Sequence, residues 1–275
     1  MKTINCKGTL IDLSVPKVMG IINVTSDSFF DGGKTTNKDD ILARAATLLD
    51  EGATFLDIGG YSSRPGASDV SEAEELDRVI PAIKNIVTKF PKALISIDTF
   101  RSSIAQQAID AGACMVNDIS GGQEDPEMME VVGQLKVPYV LMHMKGNPQT
   151  MASENKYEDV TRELISFFSA GLATARKAGI NDTIIDPGFG FAKNHEQGFE
   201  LLNNLELFEI LDVPLLVGIS RKSMIYKTLN LTPTEALNGT TALNSIALLK
   251  GANIIRVHDV KEAVECVKLT QKLLS

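Results

Sequence analysis

Eight short apolar runs recur along the chain, and each stops on a polar or charged residue. The stops are Asn23, Asp57, Asp98, Asn117, His143, Asp186, the trio Ser220-Arg221-Lys222, and Arg256 with His258. A strand buried on both faces reads as a continuous apolar run rather than as an alternation. The runs fall at residues 18–22, 55–58, 94–97, 113–116, 139–142, 183–185, 215–218 and 254–257, with helix-like periodicity between them. Eight strands, each followed by a helix, make a (β/α)8 barrel, or TIM barrel, whose functional residues gather at the strand C-termini on one face. On that reading the eight polar stops form a single ring. A loosely alternating stretch at 4–13, turning at Gly8, predicts a short N-terminal β-hairpin that covers the opposite mouth of the barrel.

Local signals support the helices. Ser71 with Glu74 fits a capping box. Apolar residues then recur at helical spacing, with Pro81 among them, which predicts a kink or a late helix start. Asp125-Pro126 reads as an N-cap followed by Pro at the first helical position. Gly52, Gly112, Gly179 and Gly251 each close a periodic segment, as helix C-caps do. Residues 159–178 predict one amphipathic helix and 260–274 the last, while Met128 and Met129 read as packing residues. Two strand–helix connections, 23–37 and 59–70, are long and glycine-rich, as binding loops often are.

Composition narrows the class. The chain has 275 residues, with no linker-like tract or shift in composition, so residues 1–275 read as a single domain of barrel size. A net charge of −8 argues against a nucleic-acid binder. Cys6, Cys114 and Cys266 form no CxxC pair, which suits a reducing cytoplasm. Neither a signal-peptide core nor an apolar run of the roughly 18 residues that a membrane span needs is present.

The strings at the strand ends are specific. Residues 23–33, NVTSDSFFDGG, and 57–66, DIGGYSSRPG, resemble the two signatures of the dihydropteroate synthase family. SIDT at 96–99, VNDI at 116–119, LMHMKGNP at 141–148, DPGFGF at 186–191, SRKS at 220–223 and IRVHDV at 255–260 are similar to further family strings, in order. Ser26 stands where the family usually has Pro, and Tyr61 where many members have Glu; Ser63 keeps the hydroxyl of the more common Thr.

The resemblance implies a folate-pathway transferase. It would join 6-hydroxymethyl-7,8-dihydropterin diphosphate to 4-aminobenzoate, forming 7,8-dihydropteroate and diphosphate. Asp186 would accept hydrogen bonds from the pterin's paired N–H donors, since one carboxylate can take two. Asp98 and Asn117 would complete the polar edge, Lys222 would donate to the ring, and Ile119 and Met142 would pack on its face. Asn23, Ser63, Arg64, Arg256 and His258 would meet the diphosphate, with Mg2+ bridging it and Asn23 the one protein ligand to the metal. Phe29, Pro65, Phe191 and Ser223 would line the aminobenzoate pocket. An aromatic amine is a weak nucleophile and diphosphate a good leaving group, so departure precedes attack. Asp31 would stabilise the resulting methylene cation, with Lys222 and Arg64 assisting. Sulfonamides, which mimic 4-aminobenzoate, would inhibit, and two copies would pair through C-terminal helices.

Other readings of the same residues exist. Asp-Pro-Gly often makes turns, Asp31 precedes a Gly-Gly turn, and an isolated Arg-x-His reads as a surface ion pair beside a structural histidine. A structural role also suits His143. A pterin-binding methyltransferase barrel would share the pterin acids but not need Arg64, Lys222 and Arg256-x-His258 together. A non-catalytic pterin binder would not need the two loops.

Overall fold

The computed structural model describes residues 2–24, 38–61, 70–146 and 154–274. An antiparallel hairpin, β1 (Thr3–Cys6) and β2 (Thr9–Asp12), comes first and turns through Lys7 and Gly8, both at positive φ. The barrel strands are β3 (Lys17–Asn23), β4 (Phe55–Gly59), β5 (Leu94–Asp98), β6 (Met115–Asp118), β7 (Tyr139–Met142), β8 (Thr183–Asp186), β9 (Leu216–Val217) and β10 (Ile254–Val257). They pair in parallel in the order β8-β7-β6-β5-β4-β3-β10-β9. A parallel bridge between Ile185 and Leu215 joins β8 to the segment entering β9 and closes the ring.

Helices alternate with the strands: α1 (Lys38–Asp50), α2 (Glu72–Lys89), α3 (Ser102–Ala111), α4 (Met128–Leu135), α5 (Val160–Lys177), α6 (His195–Asn203), the short α7 (Ser223–Tyr226), α8 (Leu237–Leu249) and α9 (Val260–Leu274). The helix from 260 to 274 and the strands at 139–142 and 254–257 lie where the sequence puts them. β6 begins two residues late and β9 is shorter than expected.

The period of two in the strands sorts their side chains into two cores. Val18, Leu56, Ile95, Val116, Leu141, Ile185, Val217 and Ile255 pack against the helices. Met19, Phe55, Met115, Val140, Ile184, Leu216 and Ile254 fall in a separate cluster with Ile4, Cys6 and Leu13 of the hairpin segment. The hairpin therefore seals the N-terminal mouth, as expected. Each fully buried side chain of this size contributes about 1.5–3 kcal/mol, so the plug is part of the fold rather than an appendage. With that end sealed, the polar residues one or two positions further along each strand are left at the other mouth.

Capping follows the sequence in part. Ser71 and Glu74 form the full capping box of α2. That helix runs through Pro81 from Glu72 to Lys89, so the late start is excluded. Asp125 does not cap α4, which starts at Met128; its carboxylate instead accepts from the backbone N–H of Ser102 at 2.7 Å, the first residue of α3, and from Glu127 at 3.0 Å. An Asx-type turn competes with a helix start at such a residue, and here the neighbouring helix takes the second oxygen. No described helix is long and apolar enough to cross a membrane.

Candidate functional site

The strand ends place one strongly coupled group of charges at the open mouth. Arg256 lies at the end of β10, between β3 and β9 in the sheet. Its Nε donates to Asp57 Oδ2 and its Nη2 to Asp98 Oδ2, each at 2.6 Å. Asn117 Nδ2 donates to the same Asp57 oxygen at 3.1 Å. Burial works against the Arg256 charge, but Asp57 and Asp98 overcome it and hold the guanidinium above its ordinary range. Asp98 moves the other way. Burial pushes its carboxyl up to about 7, Arg256 opposes this, and Asp57, Glu75 and Asp118 add to it. The Arg-x-His string is therefore no surface pair: its arginine holds together two carboxylates of the ring.

Asp186 ends β8 and is buried. Its Oδ1 accepts from Gly188 N–H at 2.8 Å, which leaves the other oxygen free of that turn. Burial raises its pKa, against Lys222, the Gly188 N–H, Arg256 and Lys193. Lys222, from the turn after β9, donates to the Phe189 carbonyl and lies 4.7 Å from the centroid of the Phe191 ring. Burial lowers the Lys222 pKa to about 8, Asp186 and Asp98 oppose the shift, and Arg256 adds to it. Beside these groups sits a small apolar cluster of Ile119, Met142, Met144 and Ala192, with Phe100 and Phe191 at its margin. A flat, polar-edged ring would find acceptors at Asp186, Asp98 and Asn117 and an apolar face at Ile119 and Met142.

The SRKS string divides by role. Ser220 Oγ lies 3.0 Å from His258 Nδ1 and accepts from the His258 backbone N–H, which fixes the imidazole at the mouth. Arg221, at φ 55°, is committed to Asp259 through Nε at 2.8 Å and Nη2 at 2.6 Å. Ser223 is the first residue of α7. Asn23 ends β3 in register with Gly59. Phe29, Asp31, Ser63, Arg64 and Pro65, and Ser26 with them, lie outside the described residues.

Where the second long connection leaves and rejoins the described chain, aromatic and cationic side chains pack together. Tyr61 packs edge-on against Phe100 with centroids 5.1 Å apart. The Arg101 guanidinium lies 5.6 Å and 5.0 Å from the centroids of these two rings. It pairs with the buried Glu75 and donates to the Val70 carbonyl at 2.8 Å. Tyr61 thus serves as an aromatic contact at the start of this connection.

His143 is structural in its surroundings. It is buried, packs edge-on against Phe167 at 4.8 Å, and its pKa is lowered to about 2 by burial, with Lys193 and Lys145 adding to the shift. The structure also brings Lys193, Phe100 and Met144 to this face, none of which is among the candidates the sequence offers. Phe100 and Met144 could have been found from their place just past strand ends. Lys193 has no such signal.

Among the described residues, no cluster of three His, Cys, Asp or Glu side chains could hold a metal. A hard cation here would depend on ligand oxygens and waters beside a single amide such as Asn23, which suits Mg2+ with a polyphosphate.

A family model described as pterin binding enzyme matches residues 19–258. The dihydropteroate synthase of Escherichia coli (strain K12) is 45% identical over 271 residues, covering 98% of this chain and 95% of its own. The dihydropteroate synthase of Yersinia pestis, solved as a complex with a sulfonamide drug, superposes with a TM-score of 0.94 at 42% identity, covering 99% of both chains. That of Xanthomonas albilineans with 4-aminobenzoic acid gives a TM-score of 0.92 at 39% identity, over 99% of this chain and 98% of the other.

Proposed function

The chain belongs to the pterin-binding enzyme family, and from that premise we propose that it is a dihydropteroate synthase. It transfers the 7,8-dihydropterin-6-ylmethyl group from its diphosphate ester to the amine of 4-aminobenzoate in folate synthesis. One observation carries the reading. The acceptors Asp186, Asp98 and Asn117 lie at strand ends beside the apolar Ile119 and Met142, and Lys222, whose charge interacts with that of Asp186, lies over the Phe191 ring. This arrangement supports the reading of a pterin pocket and an aromatic acceptor pocket on either side of one cation. Full-length relatives carry the same activity in their names.

In this reading Asp186 and Asn117 hold the pterin edge, and Lys222 holds its carbonyl side. Asn23, Ser63, Arg64, Arg256 and His258 face the diphosphate. Mg2+ held by Asn23, diphosphate oxygens and water would neutralise leaving-group charge. The C–O bond to diphosphate breaks first, because the electron-rich pterin stabilises the exocyclic cation. Asp31 provides further negative charge to it. The 4-aminobenzoate nitrogen then attacks and loses a proton to solvent, with its ring held by Phe29, Pro65 and Phe191 and its carboxylate by Ser223. What the protein supplies is electrostatic preorganisation rather than a strong base. Sulfonamides would occupy the aminobenzoate pocket, a reading that the sulfonamide complex of the Yersinia pestis enzyme supports.

The same proposal places the enzyme in the cytoplasm as a homodimer. Leu269 and Leu273 are 70% and 74% exposed on α9, and Ile246 and Leu249 are exposed on the adjacent α8. Apolar side chains so open to water on two adjacent helices support an association surface there. A coupled assay for diphosphate release, with and without 4-aminobenzoate, tests the function. Release that depends on the amine is expected; hydrolysis alone, or no turnover, would refute it.

A further inference from the structure

One charged group at this face has no part in the reaction as proposed. Lys193 follows the Asp186–Phe191 turn and is only 8% exposed. Its Nζ lies 3.0 Å from His143 Nδ1 and donates to the carbonyls of His143 at 3.2 Å, Gly188 at 3.2 Å and Phe191 at 2.9 Å. Among the described residues it forms no ion pair with a carboxylate. Burial pulls its pKa well down, and Asp186 opposes this.

A buried ammonium costs several kcal/mol unless its surroundings return it. Here they are built to do so. Three protons face four acceptors, so no N–H is left unsatisfied. The turn bends three times into left-handed conformation, at Gly188 (φ 68°), Gly190 (φ 77°) and Ala192 (φ 51°). Ala192 carries a side chain and adopts this region at a cost. The bends bring the Gly188 and Phe191 carbonyls to Lys193, while the Phe189 carbonyl between them goes to Lys222. A Cβ at Gly188 would lie 2.2 Å from the His143 carbonyl oxygen, so the turn also presses directly on the end of β7. The turn is held between two lysines: one at the site, one beneath it.

We propose that Lys193 is a positioning residue for the transfer reaction, a buried cation that locks the turn bearing Asp186 and Phe191 onto the Met142–His143 end of β7. It thereby fixes the distance and tilt between the pterin pocket and the aminobenzoate ring wall. The inference rests on the assignment of Asp186 to the pterin and Phe191 to the amine substrate. Lys193 itself touches neither.

The test uses Lys193→Gln, which keeps donors without charge, and Lys193→Met, which removes both, beside Asp186→Asn and the double variant. Calorimetry with 6-hydroxymethylpterin, the KM for 4-aminobenzoate, kcat and melting temperature are measured on each. Both Lys193 variants are expected to weaken pterin binding and raise the aminobenzoate KM, each by about tenfold to a hundredfold, the scale of a misplacement near 1 Å. The loss should persist at temperatures where the protein is fully folded. Combined with Asp186→Asn, the losses should fall short of additivity, because both changes act through one carboxylate. A folded Lys193→Gln with near-normal pterin affinity and KM, or fully additive losses, would overturn the proposal. If Lys193→Met does not fold, Lys193→Gln decides alone. An Asp186→Asn variant with unchanged pterin affinity would instead remove the premise and, with it, the inference.

Discussion

Activity should fall as the pH rises through about 8, because Lys222 loses its proton there. Burial draws this lysine from the ordinary 10.5 down to about 8. A group at about 8 is roughly nine-tenths protonated at pH 7 and one-tenth at pH 9. If only the ammonium supports the pterin and the Phe189 carbonyl, kcat/KM should drop about tenfold between those values. Unfolding does not explain such a loss through this group. Its folded pKa lies below its unfolded one, so between about 8 and 10.5 the unfolded chain binds more protons, and stability from Lys222 rises with pH across that window. Asp186 is the main group holding the Lys222 pKa up, so Asp186→Asn should move the falling limb to lower pH. Lys222→Arg, which keeps its proton throughout, should abolish the limb at a lower absolute rate. The assay is diphosphate release at subsaturating pterin substrate from pH 6 to 10. A wild-type profile flat to pH 10, or the same limb in Lys222→Arg, would refute the reasoning.

Asp186→Asn itself turns a donor toward the pterin's own donors, and pterin affinity should fall at least about tenfold with the melting temperature little changed; calorimetry on the folded variant checks this. Arg256→Ala leaves Asp57 and Asp98 without their shared cation, a change expected to cost about 3 kcal/mol in thermal unfolding, part of which Asp57→Asn should recover. The same variant should lose more affinity for the diphosphate ester than for free hydroxymethyl pterin, and equal losses would place its guanidinium out of reach of the phosphates. Leu269→Glu with Leu273→Glu should give a monomer by light scattering; a dimer that persists would move the interface elsewhere.

The barrel was legible because its physics repeats. Strands buried on both faces leave runs such as 139–142 and 254–257 that have no other easy reading, and eight of them in series leave one architecture. The plug was legible for the same reason, since Ile4 and Leu13 alternate across a Gly turn. What failed was local competition between caps. Asp125 carries the composition of an N-cap, yet its second oxygen serves α3, a neighbour that sequence distance hides. The strand-end residues do lie at one mouth of the barrel, but the sequence carries no sign of how they pair with one another. Arg256 was assigned by its suitability for phosphate, and only the sheet order, which brings β10 beside β3 and near β4, shows that Asp57 and Asp98 reach it first.

Lys193 marks the limit of that kind of reading. A lysine in a polar, glycine-rich stretch is almost always a solvated surface residue, and nothing in Phe191-Ala192-Lys193-Asn194 departs from that expectation. Its burial follows from carbonyl directions, which depend on three left-handed residues in one turn. Two of these are glycines and could be foreseen; the third is Ala192 and could not. Substrate-facing groups must end on strands or their loops, so their chemical type betrays them. A group that acts by holding a loop can be of any type, because its partners are backbone atoms common to every sequence. Sequence therefore reveals the residues that touch ligand more readily than those that aim them, and in this barrel the second kind is found by following a buried charge to its acceptors.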